Sequence, residues 1–336
     1  MKKYDYYEDV SFLIGKTDKE AILLLKKPSV FKITGKDNSK AVLVSTLIHG
    51  HEICGFRAFL KEINSKPEYP LDVYFAVGNV QAAQIEPLFS NRLVPGGQNF
   101  NRTWIKEPKT EMEQLSFELF EFYKTLPLVG ILDLHSFTAT DTLPHGFLPD
   151  TKEETLKLAN KLANYGFVTD SNLGAMIELT TDIAPSLVIE CGTNGSKEAD
   201  EYAFETLHKF FKLTGVEEGN VEDVNKGVFV NMTNVKIKSA VTVVWADEKQ
   251  DAQLTIRSDI SKLNITEVKA GEFYGWANTL DLFVIKNKDG LQNVEDWFEL
   301  KDGKVYIKQD VVPNLMSANE KIAKESGFYF FKRWEK

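Results

Sequence analysis

The chain has 336 residues, enough for about two domains of ordinary size. Its apolar and charged content is that of a soluble globular protein, and it holds no low-complexity tract. A formal charge of −9, with no basic stripe interleaved with aromatics, argues against a nucleic-acid binder, because phosphate-backbone affinity rests on clustered Lys and Arg.

The opening stretch, MKKYDYYED, places acidic and aromatic residues where a secretory signal needs an apolar run. No apolar run approaches the roughly 20 residues of a membrane helix. Two cysteines, Cys54 and Cys191, make no disulfide framework, and reduced thiols fit a cytoplasmic chain with no membrane partner.

AVLVSTLI (41–48) is a continuous β-branched and apolar run, the pattern of a strand buried on both faces. EICGFRAFLKEIN (52–64) follows with apolar residues at helical spacing. His49-Gly50-His51-Glu52 therefore sits at a strand-to-helix turn. LDVYFAVGN (71–79) is a second buried strand, and 111–126 is an amphipathic helix. LVGILDLH (128–135) is a third strand, and 152–166 a helix with Gly166 as its stop. SLVIECG (186–192) is a fourth strand, followed by a helix over 198–215.

Strands alternating with helices predict an α/β fold: a mixed, mostly parallel sheet flanked by helices. After about Val221 the pattern turns strand-like, in KIKSAVTVVWA, AQLTIRS, TEVKAGEFYGWA, DLFVIKNKDG and WFELKDGKVYIKQD, with turn residues between. A short helical segment, SANEKIAKESG, precedes an aromatic tail, FYFFKRW. The expected organisation is a domain over 1–220 and a smaller β-rich domain over 221–336.

His49, Glu52, His135 and Glu190 all fall at the carboxyl ends of predicted parallel strands, where open α/β sheets bind ligands. Two imidazoles and a carboxylate suit a catalytic zinc ion, which takes three protein ligands and keeps a fourth position for water. Asp133 shares a strand face with His135 and either orients its ring or is a buried carboxylate bonded to backbone. Glu190 closes an apolar strand, a costly place for a charge unless it is paired or functional. It is either a proton-transfer group beside a metal-bound water or a carboxylate held by turn amides. His51 reads as structural, His208 as surface or packing on a helix, and His145 as part of a loop that could line the pocket. Of five arginines, Arg92 and Arg102 share the loop SNRLVPGGQNFNRTW. Paired planar donors there suit an anionic substrate, or they anchor the loop by salt bridges. Arg57 reads as a surface residue.

Together these residues resemble the succinylglutamate desuccinylase and aspartoacylase family, within the zinc-carboxypeptidase-like α/β hydrolases. The H-G-N-E type turn matches His49-Gly50-His51-Glu52. The D-L-H strand matches Asp133-Leu134-His135, and the E-x-G strand end matches Glu190-Cys191-Gly192. GNVQAA from Gly78 echoes G-N-P-x-A, and Arg92 with NFNRTW looks like the R…D-L-N-R-x-F segment. The likeness spans roughly residues 40 to 195. It implies one Zn²⁺ per chain held by His49, Glu52 and His135, Glu190 as general acid/base, and Arg92, Asn101 and Arg102 as substrate-binding residues. It also implies a small anionic N-acyl amino acid as substrate, a β-rich C-terminal domain, and admits a homo-oligomer.

This sequence departs from the pattern at His51, at Asn99 in place of Asp, and in the spacing of Arg92 from Asn101. No Arg occurs between Thr103 and Glu190, where the aspartoacylase branch has one, so the acyl group and amino acid stay open. The alternatives are a zinc carboxypeptidase acting on a peptide or cell-wall fragment, and a non-catalytic binding protein on the same scaffold.

Overall fold

The computed structural model describes residues 2–65, 67–137, 143–170, 172–213 and 227–335. The chain forms two compact units. One comprises Met1–Phe137, Pro144–Gly166 and Asn172–Lys226, and the other Thr138–Leu143, Phe167–Ser171 and Gly227–Lys336. The expected boundary at 220/221 lies outside the described residues.

The first unit runs β1 (Asp5–Tyr7), α1 (Asp18–Leu24), β2 (Ser29–Ile33), β3 (Asp37–Thr46), α2 (Cys54–Asn64), β4 (Leu71–Val77), α3 (Val80–Ala83), α4 (Glu111–Tyr123), β5 (Leu128–Phe137), β6 (His145–Leu148) and α5 (Glu153–Leu162). α6 (Met176–Thr180), β8 (Ser186–Thr193) and α7 (Lys197–Phe211) complete it, while the short strand β7 (Gly166–Val168) has only its first residue in this unit. The strands of this unit stand in the order β1-β2-β4-β3-β5-β8-β6. The β3–β4, β3–β5, β5–β8 and β1–β2 pairs are parallel, and β2–β4 and β6–β8 are antiparallel. The sheet is mixed and mostly parallel, as the alternating pattern predicts.

Alternation along each strand gives the sheet two apolar faces. Leu43, Tyr74, Ala76 and Ile131 pack with Leu115, Leu119, Phe120 and Tyr123 of α4 and with Met176 and Leu179 of α6. On the opposite face Phe75 stacks on Phe59 of α2 at 3.8 Å. Register extends the division to the strand ends. Asp133 and His135 follow Ile131 in β5, and Glu190 of β8 stands opposite His135, so all three project on the α4 face. Cys191 follows Ile189 on the α2 face. Both cysteines are buried and unbridged, with Cys54 at the start of α2.

The expected helix over 152–166 stops early. After α5 the backbone at Ala163 is extended, and Gly166 opens β7 instead of ending the helix. A Cβ at Gly166 would stand 2.8 Å from Leu148 Cδ1, so a larger residue there would have to displace the Leu148 side chain of β6. The loop expected around His145 is strand β6. β1, α1 and β2 carry too little periodicity to predict; α1 is set by a capping box, Thr17 with Glu20.

In the second unit β9 (Val228–Ile237) pairs antiparallel with β13 (Phe283–Asn287) and with β18 (Phe328–Arg333), which the aromatic tail forms. β14 (Gly290–Leu291) extends β13, and β17 (Val312–Asn314) pairs with β18. A second sheet has the order β10 (Val243–Trp245), β11 (Leu254–Ile256), β12 (Glu272–Ala277), β16 (Lys304–Ile307), β15 (Phe298–Lys301). One apolar core joins the two sheets, with Phe283 stacked on Phe298 at 4.6 Å, and α8 (Glu320–Glu325) contributes Ala323. The expected single strand over KIKSAVTVVWA is split by a turn at Lys238–Val241 into the end of β9 and β10. No described helix is long and apolar enough to cross a membrane.

Candidate metal centre

β3 has β4 on one side and β5 on the other, and the chain passes from β3 to β4 and then back across to β5, so the carboxyl end of β3 is the switch point at which open α/β sheets bind ligands. The chain leaves β3 through Leu47, fully buried and in the left-handed region at φ 52°. A bulky residue there costs about 1–3 kcal/mol, and such strain collects at functional turns. The turn is pinned to the end of β4: Gly78 N–H donates to the Thr46 carbonyl and Asn79 N–H to that of Leu47. Gly50 lies against α3 so closely that a Cβ would meet Ala83 N at 2.6 Å.

This turn places His49 and Glu52 beside His135, which ends β5. All three are buried, at 2–3% exposure, and one ligand atom from each lies within 4.8 Å of the others. Glu52 Oε1 is 2.8 Å from His49 Nδ1, and Glu52 Oε2 is 2.7 Å from His135 Nδ1. The two rings stand 5.2 Å apart at 69°. His135 Nε2 is 2.7 Å from Asp133 Oδ2, so of the two readings of Asp133 the ring-orienting contact is the one formed.

The electrostatics follow from burial opposed by charge. Burial pushes the Glu52 carboxyl up, but the two imidazoles outweigh it and hold it well below the ordinary value. Burial pulls His49 down to about 4. Burial also disfavours a charged His135, yet the carboxylates of Asp133 and Glu52 raise it well above the usual imidazole range. Burial raises Glu190 to about 8, with the nearby Glu52 and Asp133 charges adding to it against His135 and Arg92. Glu190 Oε2 makes no hydrogen bond.

The donor set fits a metal ion. Without an ion, a His135 protonated at both nitrogens donates to Asp133 Oδ2 and to Glu52 Oε2, each at 2.7 Å; with Nδ1 unprotonated, its lone pair faces the Glu52 carboxylate, and that pair of donor atoms is what a metal ion would take. His49 Nδ1 is buried, 2.8 Å from Glu52 Oε1, and makes no hydrogen bond of suitable geometry. Two imidazole nitrogens and a carboxylate oxygen, all within 4.8 Å of one another, form a donor set of the kind that holds a divalent metal ion.

Of the expected substrate residues, Arg92 reaches the centre itself. Its Nη1 is 3.0 Å from Glu52 Oε1 and its Nη2 is 2.8 Å from His49 Nε2. Asn101 and Arg102 lie on the turn just beyond. Asn101 Oδ1 accepts from the Met176 backbone N–H at the start of α6, and the Arg102 guanidinium donates to the Asn101 carbonyl. Asn99 is the residue that sequence reasoning left without a role: its Oδ1 stands 3.0 Å from His49 Nε2 and accepts the Asn101 N–H at 2.9 Å. Its only sequence signal was the departure from Asp in the D-L-N-R segment.

His51, 6.4 Å from the His49 ring, is outside the ligand cluster. His145 is buried and stands opposite Glu190 across the β6–β8 pair, its ring stacked on Phe137. His208 pairs with the buried Glu62 of α2 at 3.1 Å, a packing role. Arg57 bridges Asp18 and Asp200.

No protein-family model matches the chain, and no curated protein matches it. Solved structures do. A succinylglutamate desuccinylase/aspartoacylase from Rhodobacter sphaeroides superposes with a TM-score of 0.61 at 16% identity, over 91% of this chain and 89% of that one. A succinylglutamate desuccinylase from Vibrio parahaemolyticus gives 0.58 at 12%, over 96% of both chains. An aspartoacylase family protein from Mesorhizobium loti gives 0.54 at 13%, over 91% and 89%. The chain has the fold of these proteins, including the β-rich C-terminal region.

Proposed function

We propose that this protein, on a desuccinylase/aspartoacylase fold, is a zinc-dependent hydrolase that cleaves the amide bond of a small, anionic N-acyl amino acid in the cytoplasm. The observation that carries the reading is the buried convergence of His49, Glu52 and His135 at the ends of β3 and β5, with Glu190 at the adjoining end of β8. His49 Nδ1, a Glu52 oxygen and His135 Nδ1 would hold the ion, with Asp133 fixing the His135 ring. When bound, the ion supplies Lewis-acid chemistry, acidifying water and polarising a carbonyl.

The rest is the work of the chain. Glu190, opposite His135 at the adjoining end of β8, is placed to take a proton from the attacking water and return it to the departing amine nitrogen. Arg92 carries a guanidinium at the edge of the crevice, with its side chain 47% exposed, suited to the negative charge that develops on the carbonyl oxygen. Asn101, through its amide nitrogen, and Arg102 hold the substrate carboxylate.

The test is a panel of N-acyl amino acids, N-succinylglutamate and N-acetylaspartate among them, set against blocked peptides, with zinc content measured on the same preparations. Turnover of acylated amino acids with about one zinc per chain supports the reading. Turnover of peptides alone makes the protein a carboxypeptidase, and bound zinc with no turnover of either makes it a binding protein.

A further inference from the structure

Two groups contend for one nitrogen. His49 Nε2 lies 3.0 Å from Asn99 Oδ1 and 2.8 Å from Arg92 Nη2. Asn99 Oδ1 also accepts the Asn101 N–H, which fixes the amide oxygen toward the ring, so this contact is a hydrogen bond only when Nε2 carries a proton. A guanidinium has donors and no acceptor, so its contact requires a lone pair on Nε2. A neutral imidazole carries one proton and cannot satisfy both.

Each choice has a consequence on the other side of the ring. With the proton on Nε2, His49 donates to Asn99 and presents a lone pair at Nδ1, the form that ligates a metal. With the proton on Nδ1, Arg92 holds Nε2 and His49 has no Nδ1 lone pair to offer a metal, with Glu52 Oε1 2.8 Å from that nitrogen. The same guanidinium reaches that oxygen at 3.0 Å. The centre is then neutralised by an arginine in place of an ion, and neither His49 nor Glu52 Oε1 is available as a ligand.

We infer that Arg92 is a latch on the metal-free centre: its guanidinium and the metal exclude each other at His49 and Glu52, and metal loading releases Arg92 into the crevice. This rests on the metal reading of the site. The backbone is placed for such a swing. Gly50 N–H donates to the Arg92 carbonyl at 3.0 Å, which ties the residue to the metal turn while its side chain stays half exposed. The arginine that recognises substrate charge is thereby presented only once the ion is in place, and by linkage an anion held by Arg92 favours metal binding.

The experiment follows Arg92 itself. The metal-free protein and the same protein loaded with Zn²⁺ are treated with phenylglyoxal, and the adduct on Arg92 is timed by peptide mass spectrometry. Zinc affinity is measured by chelator competition for wild type and Arg92→Met, and the His49 tautomer is read from imidazole ¹⁵N shifts. Expected are a several-fold faster adduct in the loaded protein, zinc binding about tenfold tighter in Arg92→Met, as for a free site some nine-tenths latched, and a tautomer that is Nδ1–H in metal-free wild type and Nε2–H in the metal-free variant. Zinc binding with an unchanged adduct rate and the same tautomer in both proteins overturns the latch and leaves the metal centre standing, since tighter binding alone is what simple charge repulsion gives. Failure of zinc to bind either protein overturns the latch together with the metal reading.

Discussion

Glu190 and His135 carry the sharpest consequences of single side chains. Glu190 stays protonated in the folded chain up to about pH 8, while its unfolded counterpart loses the proton near the ordinary 4.5. Between these values the folded state binds more protons, so stability falls as pH rises through that window. Glu190→Gln removes the slope: urea denaturation of the metal-free protein should find the variant close to wild type at pH 5 and more stable at pH 8. With zinc present it should keep the metal and lose turnover by 10²-fold or more. His135→Ala removes one of three ligands and should reduce zinc from about one per chain to a trace, by elemental mass spectrometry of the dialysed protein. These residues were legible because polar groups ending buried apolar strands are rare and costly. Asn99 and the reach of Arg92 were not, because the loop that brings them to His49 has no period to read, and its geometry depends on contacts such as Asn101 with Met176.

The strand-to-helix turn shows how much an element boundary contributes. Gly50 is glycine for want of space: Ala82 and Ala83 of α3 occupy the volume of its Cβ. Gly50→Ala should push the turn off α3, cost about 1–3 kcal/mol in chemical denaturation, and weaken zinc binding although no ligand is altered. The long periodic elements β3, α2, β4, α4, β5, β8 and α7 were predictable within a few residues, since each carries enough apolar repeat to name its type. β6 was read as a loop because four residues carry no period, and Gly166 as a helix stop because a glycine after an apolar helix usually is one. In the fold its bare Cα admits Leu148.

At the scale of the molecule, every ligand of the proposed centre belongs to the first unit, two on the turn after β3 and one on the neighbouring β5. Zinc binding should therefore raise hydrogen-exchange protection first in β3, β5 and the start of α2, and stabilise the protein by about 4 kcal/mol at a thousand times the dissociation constant. An unchanged exchange map in saturating zinc would place the ion elsewhere. The α/β class and the change to β-rich sequence were readable from alternation alone, whereas strand order was not, because it is set by pairings between residues distant in the chain. Cys54 and Cys191, at 0% and 1% exposure behind the sheet, make every thiol of the chain inaccessible while the fold holds. Burial also keeps the Cys191 thiol protonated well beyond its ordinary range. The molecule so carries its own clock for opening: iodoacetamide should find neither sulfur in the folded protein, and the rate at which both become carboxamidomethylated in dilute urea should report how often the strands beneath the metal ligands come apart.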